Sequence, residues 1–135
     1  DPLSEKTKLS ISNHNKIISV GYQVDVRPFF AVSHLLVFPS YREGFPNVVM
    51  QSGAMGLPSI VTDINGCNEI IKNDYNGIII PCKDIKSLIQ AMERIFIDKE
   101  LYLSCKENSR LSIMKNYRQD LHWNALLSEY KSLLT

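Results

Sequence analysis

An α/β domain built on a parallel sheet is the fold this sequence predicts, and three observations predict it. Leu35-Leu36-Val37-Phe38, Ser59-Ile60-Val61-Thr62 and Ile78-Ile79-Ile80 are short apolar runs without polar alternation, the pattern of strands buried on both faces. Helical patterns lie between them, as crossover connections between parallel strands require. From Asp84 onward the periodicity is helical throughout, so the sheet carries a helical C-terminal tail.

Each element has its own signal. Residues 3–14 predict a helix with Ser4 as N-cap and Leu3, Leu9 and Ile11 as buried positions. Ile17-Ile18-Ser19-Val20 reads as a first short strand, closed by Gly21. Arg27 to His34 reads as a brief helix with Pro28 in its first turn, where proline is tolerated. Leu35–Phe38 is then the second strand, stopped by Pro39. A polar loop follows, Ser40-Tyr41-Arg42-Glu43-Gly44-Phe45-Pro46, and Asn47 is the expected N-cap of a small-residue helix over Val48 to Gly56. Ser59–Thr62 is the third strand. The loop Asp63–Gly66 leads to a short helix through Asn68-Glu69-Ile70-Ile71, in which Glu69 is expected to cap. Asn76-Gly77 signals a turn before the fourth strand, Ile78–Ile80, which Pro81 ends. Ile85, Leu88, Ile89, Met92, Ile95 and Phe96 form an amphipathic stripe, and Leu101–Asn116 and Gln119–Leu134 are two further helices.

Composition narrows the function classes. A chain of 135 residues is one domain at most and long enough to bury a core. Its 44% hydrophobic and 21% charged residues are ordinary for a globular domain, and a net charge of +1 gives no reason to expect nucleic acid. No apolar run approaches the ~20 residues of a membrane span, and the polar opening Asp1-Pro2-Leu3-Ser4 is no signal peptide. Cys67, Cys82 and Cys105 are odd in number and far apart, which argues against a disulfide framework or zinc site and fits a cytoplasmic location. His14, His34 and His122 have no ligand spacing, so no protein-bound metal is expected. There is also no Gly-x-Gly-x-x-Gly motif, P-loop lysine or serine elbow.

The strand–loop–helix around Glu43 is where chemistry is expected. In open α/β sheets ligands bind beyond the carboxyl ends of the strands. A helix N-terminus there offers free N–H groups and a positive dipole end to phosphate or carboxylate.

Glu43-Gly44-Phe45-Pro46 followed by Gln51 resembles the acid-x7-acid signature of retaining glycosyltransferases of group 1, or family 4, which carry two Rossmann-like domains (the GT-B fold). Val20-Gly21-Tyr22-Gln23-x-Asp25-Val26 resembles the stretch before that signature. Gly56-Leu57-Pro58-Ser59-Ile60-Val61, Gly66-x-x-Glu69-Ile70-Ile71 and Asn76-Gly77-Ile78-Ile79 resemble the stretches after it. The resemblance covers about Ile18 to Asp98, and Tyr41–Val49 is similar to bacterial enzymes of capsule, exopolysaccharide or O-antigen assembly.

The resemblance implies a Rossmann-like sheet of about four strands. It implies that residues 1–135 are a single partial domain, the C-terminal nucleotide-sugar-binding half. The acceptor-binding N-terminal domain and the first strands of this domain would then precede it. An isolated chain of this kind is expected to be inactive. The substrate would be a nucleotide-sugar, most simply a UDP-sugar carrying a hexose or N-acetylhexosamine, with no tightly bound cofactor and no metal. The acceptor would be a glycan or a lipid-linked sugar, consistent with a peripheral position at the inner membrane face.

By the same resemblance Glu43 contacts the donor sugar and stabilises oxocarbenium-like charge. Gly44, Phe45, Pro46, Asn47 and Val48 cradle sugar and phosphate. Gln51 stands where the family has an acid that grips the ribose. That departure predicts weaker donor binding, since a neutral hydrogen bond is worth less than a charge-assisted one. Tyr22 and Gln23 are placed to line a base pocket. Tyr130, Leu133 and Leu134 in the last helix would pack on the absent domain, and an unfinished sheet invites self-association. Two alternatives remain at this stage: a non-catalytic nucleotide-sugar-binding module, and an epimerase on the same two-domain fold.

Overall fold

The computed structural model describes residues 3–134; Asp1, Pro2 and Thr135 lie outside the described residues. Three strands, β1 (Leu36–Phe38), β2 (Ser59–Thr62) and β3 (Gly77–Ile80), form one sheet in the order β1-β2-β3. Both pairings are parallel, with Val37 opposite Ile60 and Ile60 opposite Ile78. The helices are α1 (Glu5–Ser12), α2 (Arg27–Val32), α3 (Asn47–Ala54), α4 (Cys67–Ile70), α5 (Ile85–Ile97), α6 (Lys99–Asn116) and α7 (Gln119–Ser132).

Strand alternation divides the core in two, as a sheet buried on both faces requires. On one face Val61 packs with Val49, Cys67, Ile70, Ile71 and Ile113, joined by half-buried Leu36, Phe38 and Ile79. On the other, Ile60, Ile78 and Ile80 meet Ala91 and Ile95 of α5, with Val37 and Tyr102 at the margin. Central β2 is buried at every residue. The small residues of α3 have a packing reason. A Cβ on Gly53 would lie 2.8 Å from Ile113 Cγ1, so glycine lets α3 close on α6. Beside it Ser52 Oγ donates to the Val49 carbonyl at 2.9 Å, which satisfies a hydroxyl in the core.

Several expectations are corrected. The sheet has three strands among the described residues, not four. Ile17–Val20 is unpaired, Ile18 is 84% exposed, and the Ile17 N–H turns back to the His14 carbonyl. An apolar run becomes a strand only where a neighbour takes its backbone groups, and no strand among the described residues pairs with it. Helix α1 keeps its Ser4 cap, with Thr7 N–H donating at 3.2 Å, but Leu3 and Leu9 are exposed and α1 buries nothing. The stripe on α5 is divided: Ile95 is buried and Leu88 half-buried, while Ile85, Ile89, Met92 and Phe96 are exposed. The α3 cap is Pro46, not Asn47, which is already the first helical residue. Proline has no N–H to lose at a cap, and its extended φ of −77° turns the loop into the helix.

Candidate functional site

The loop between β1 and α3 leaves the carboxyl end of the sheet, and four contacts fix it. Thr62, the last residue of β2 and 2% exposed, donates its hydroxyl to the Ser40 carbonyl. Ser40 Oγ in turn donates to Glu43 Oε1 at 2.8 Å. Beyond Glu43, Gly66 presses against the loop so closely that a Cβ there would overlap the Gly44 carbonyl oxygen. The Phe45 ring lies 5.6 Å from that of Tyr117, whose hydroxyl donates to the Glu69 carbonyl at 2.8 Å. The second and third contacts hold the loop at its middle, and the first and last tie it to β2 and to the end of α6.

Glu43 is half-buried and, among the described residues, has Ser40 as its one hydrogen-bond partner and no ion pair. The neighbouring Arg42 does not neutralise it. One carboxylate oxygen is therefore held and the other is open to a ligand donor. Its charge is felt below: Cys67 is pushed up to about 11, first by burial, then by Glu43 and Cys82. That thiol is packing, not a nucleophile.

The expected cradle divides into two kinds of residue. Pro46 is buried and Val48 half-buried against the core, so their side chains hold the loop and only backbone groups face outward. Gly44 and Asn47 are exposed. Within α3 the Val49 N–H reaches the Pro46 carbonyl at 3.1 Å, so the helix geometry leaves the Asn47 and Val48 N–H groups free at its positive end. Gln51 is exposed on the same helix, with its side chain making no hydrogen bond among the described residues.

Tyr22 and Gln23 lie in the irregular stretch before α2. Tyr22 is 91% exposed, and Gln23 Nε2 donates locally to the Val20 carbonyl at 2.5 Å. Neither touches the Glu43 loop through a hydrogen bond or ring contact among the described residues. The next turn is tied by Asp25 and Arg27; hydrogen bonds from the Arg27 side chain and then its backbone hold the Asp25 carboxyl down at about 2. Glu69 caps α4, accepting from the Gly66 N–H at 3.2 Å, as expected from the sequence.

A depression of about 200 Å³ at the carboxyl ends of all three strands adjoins the loop, lined by Tyr41, Thr62, Ile80 and Lys83. Lys83 lies 5.7 Å from the Tyr41 ring centre. The larger cleft, about 710 Å³, lies elsewhere, between Leu35 and the apolar Met92, Phe96 and Tyr102. Its lining includes no residue of the Glu43 loop or of α3. Among the described residues no His, Cys, Asp and Glu groups are placed to hold a metal, and no helix is long and apolar enough to cross a membrane.

Sequence reasoning missed Ser40, Thr62, Gly66 and Tyr117 as parts of this site. Thr62 is 22 residues from Ser40, and Tyr117 is 48 from Glu69, so only the folded sheet brings them together. Gly66 alone carried a local sign, glycine just before a helix.

The family model for glycosyl transferases group 1 matches residues 3–112. The chain belongs to this family. A relative from Escherichia coli, "UDP-Gal:alpha-D-GlcNAc-diphosphoundecaprenol alpha-1,3-galactosyltransferase", is 34% identical over 102 residues, 76% of this chain and 26% of that protein. The "Capsular polysaccharide biosynthesis glycosyltransferase CapM" of Staphylococcus aureus is 25% identical over 98% of this chain and 35% of its own. Among solved structures, a glycosyltransferase from Rickettsia africae superimposes with a TM-score of 0.88 at 25% identity, covering 96% of this chain and 36% of that one. Anabaena HepE in complex with UDP-glucose superimposes with a TM-score of 0.82 at 16% identity, over 94% of this chain and 35% of that one. This group 1 chain thus spans about a third or less of the length of these four proteins, and it shares the fold of the two solved ones.

Proposed function

We propose that this chain is the donor-binding part of a retaining glycosyltransferase. It would take a hexosyl or N-acetylhexosaminyl group from a nucleotide-sugar, first of all a UDP-sugar. The acceptor is a glycan or lipid-linked sugar in bacterial surface polysaccharide synthesis, and the remainder of the protein supplies its binding domain. The observation that carries the reading is Glu43, a carboxylate fixed by Ser40 beyond the carboxyl end of β1, beside the free N–H groups of α3. The E. coli relative's name, with its UDP-sugar donor and diphospholipid acceptor, and HepE's complex with UDP-glucose support this choice of substrates.

The chemistry follows from what these groups can do. Glu43 accepts hydrogen bonds from donor-sugar hydroxyls and stabilises positive charge as the anomeric carbon loses its leaving group. The backbone of Gly44–Val48 and the positive end of α3 stabilise negative charge growing on the departing diphosphate. Gln51, one turn along α3, accepts from the nucleotide's ribose. Tyr22 and Gln23 face the base. The acceptor hydroxyl enters on the side the leaving group vacates, which retains configuration, at the inner face of the membrane where lipid-linked acceptors lie. The isolated chain, without the acceptor domain, binds donor but does not turn over.

The test is turnover by the full-length protein with UDP-sugars and a diphospholipid-linked acceptor. Glu43→Gln is expected to lower kcat by about a hundredfold or more and to raise KM for donor modestly, as for a sugar contact present in the bound donor that strengthens in the transition state. Unchanged kcat in a folded variant would remove Glu43 from the mechanism. Donor binding without turnover in the full-length wild type would favour a non-catalytic nucleotide-sugar-binding module, the reading that the neutral Gln51 would suit.

A further inference from the structure

We propose that Ser40, anchored by Thr62, is the positioning residue for Glu43: it selects the rotamer and the oxygen that the carboxylate presents to the donor sugar. The proposal rests on the reading of Glu43 as the sugar-contacting acid. Its own ground is a chain of two hydrogen bonds. The Thr62 hydroxyl, on the buried central strand, donates to the Ser40 carbonyl. The Ser40 hydroxyl donates to Glu43 Oε1 at 2.8 Å, while the alternative acceptor, the Arg42 carbonyl, is farther at 3.4 Å.

The logic is one of freedom removed. A glutamate on a loop has three side-chain torsions and would sample many rotamers in water. Glu43 is only half-buried, has no ion pair, and has no other hydrogen-bond partner among the described residues. Ser40 is therefore the group that fixes its head. Because Oε1 carries the Ser40 bond, Oε2 is the oxygen with both lone pairs left for sugar hydroxyls. Because Ser40 is itself tied to the end of β2, the carboxylate is referenced to the sheet and not to its mobile side chain. Holding a reacting group in register before substrate arrives is worth a large factor in rate, and small displacements cost about a hundredfold. Ser40 is only three residues from Glu43, yet its orientation depends on Thr62, which is 22 residues from Ser40.

The experiment uses selectively labelled chain and reads the Glu43 side-chain couplings and carboxylate 13C shift by NMR, before and after adding UDP-glucose. Wild type is expected to show Glu43 in one dominant rotamer. Ser40→Ala should collapse the couplings to averaged values and move the carboxylate shift. Ser40→Thr, which keeps the hydroxyl, should restore both. Thr62→Val, of equal volume, should produce a partial loss. With UDP-glucose, Ser40→Ala should weaken saturation transfer to the sugar protons while leaving the uridine protons unchanged, the same pattern expected of Glu43→Gln. A single Glu43 rotamer in Ser40→Ala, or failure of Ser40→Thr to restore it, would overturn the positioning role. If the rotamer results hold but Glu43→Gln leaves the sugar signals untouched, the reading of Glu43 as sugar ligand fails while its positioning by Ser40 stands.

Discussion

Gly66 has a φ of 80° and faces the Gly44 carbonyl, so two independent demands meet at one residue. Alanine there would suffer both the left-handed backbone and a collision with main chain that cannot rotate away. Gly66→Ala is expected to cost about 2 kcal/mol or more in urea unfolding, above the ~1 kcal/mol of a positive φ alone. Gly66→Asn should rescue none of it, because asparagine's tolerance of positive φ is for ψ of about +45° and ψ here is −45°; a wild-type urea midpoint in either variant would mean that neither demand constrains the site. Gln51 belongs to the same scale. If it faces the ribose, Gln51→Glu replaces a neutral acceptor by a charged one and should tighten UDP binding by about 1 kcal/mol, roughly fivefold. Calorimetry showing equal or weaker binding would end the ribose assignment. Neither side chain could be judged from its own neighbours in sequence. Glu43 stands out in the sequence because it follows a buried strand and heads a stretch resembling the acid-x7-acid signature, whereas the hydroxyls of Ser40 and Thr62 look like those of any loop serine or strand threonine.

Among the elements, the short apolar runs were legible wherever a partner exists. β1, β2 and β3 came out at their expected places because Val37 and Ile78 each pair with Ile60 of the central strand and all three pack into one core layer. Ile17–Val20 carries the same signal and forms nothing, since the pattern reports that a segment is able to pair and not what it pairs with. The α5 stripe failed in the same way: Ile95 finds the sheet while Phe96 is 89% exposed. The α3–α6 contact rests on Gly53, and Gly53→Val should overpack Ile113 at a cost of about 1–3 kcal/mol, read as a lower urea midpoint at unchanged slope. Alkaline pH probes the same layer. Burial raises Cys67 to about 11 from 9.0, and raises Cys105 and Tyr117 as well. Across that window the folded state holds more protons than the unfolded one, so stability is complete below about pH 9 and falls as pH rises toward 11. Cys67→Ala should flatten that fall; an unaltered slope would mean Cys67 contributes none of it.

At the scale of the whole molecule, apolar surface is distributed over regions that do not cover one another. Val24 is 94% exposed, Phe96 89%, and along α7 Trp123 is 55% and Leu134 88% exposed. Helix α7 buries no residue, and Tyr130, Leu133 and Leu134, expected to pack on a further domain, are exposed. The chain spans 35% of CapM and 36% of the Rickettsia structure, and proteins of that length have further surface with which to cover these faces. Alone, the chain is expected to self-associate as concentration rises, by light scattering after gel filtration; a monomer at every concentration would show these faces to be tolerated in water. The central claim is that Glu43 contacts the sugar of a nucleotide-sugar donor. Saturation-transfer NMR on this chain with UDP, GDP, ADP and UDP-sugars, repeated on Glu43→Gln, tests it most directly. The account predicts UDP-selective binding, with sugar-proton signals lost in the variant and uridine signals kept. Sugar signals of equal strength in Glu43→Gln would contradict it.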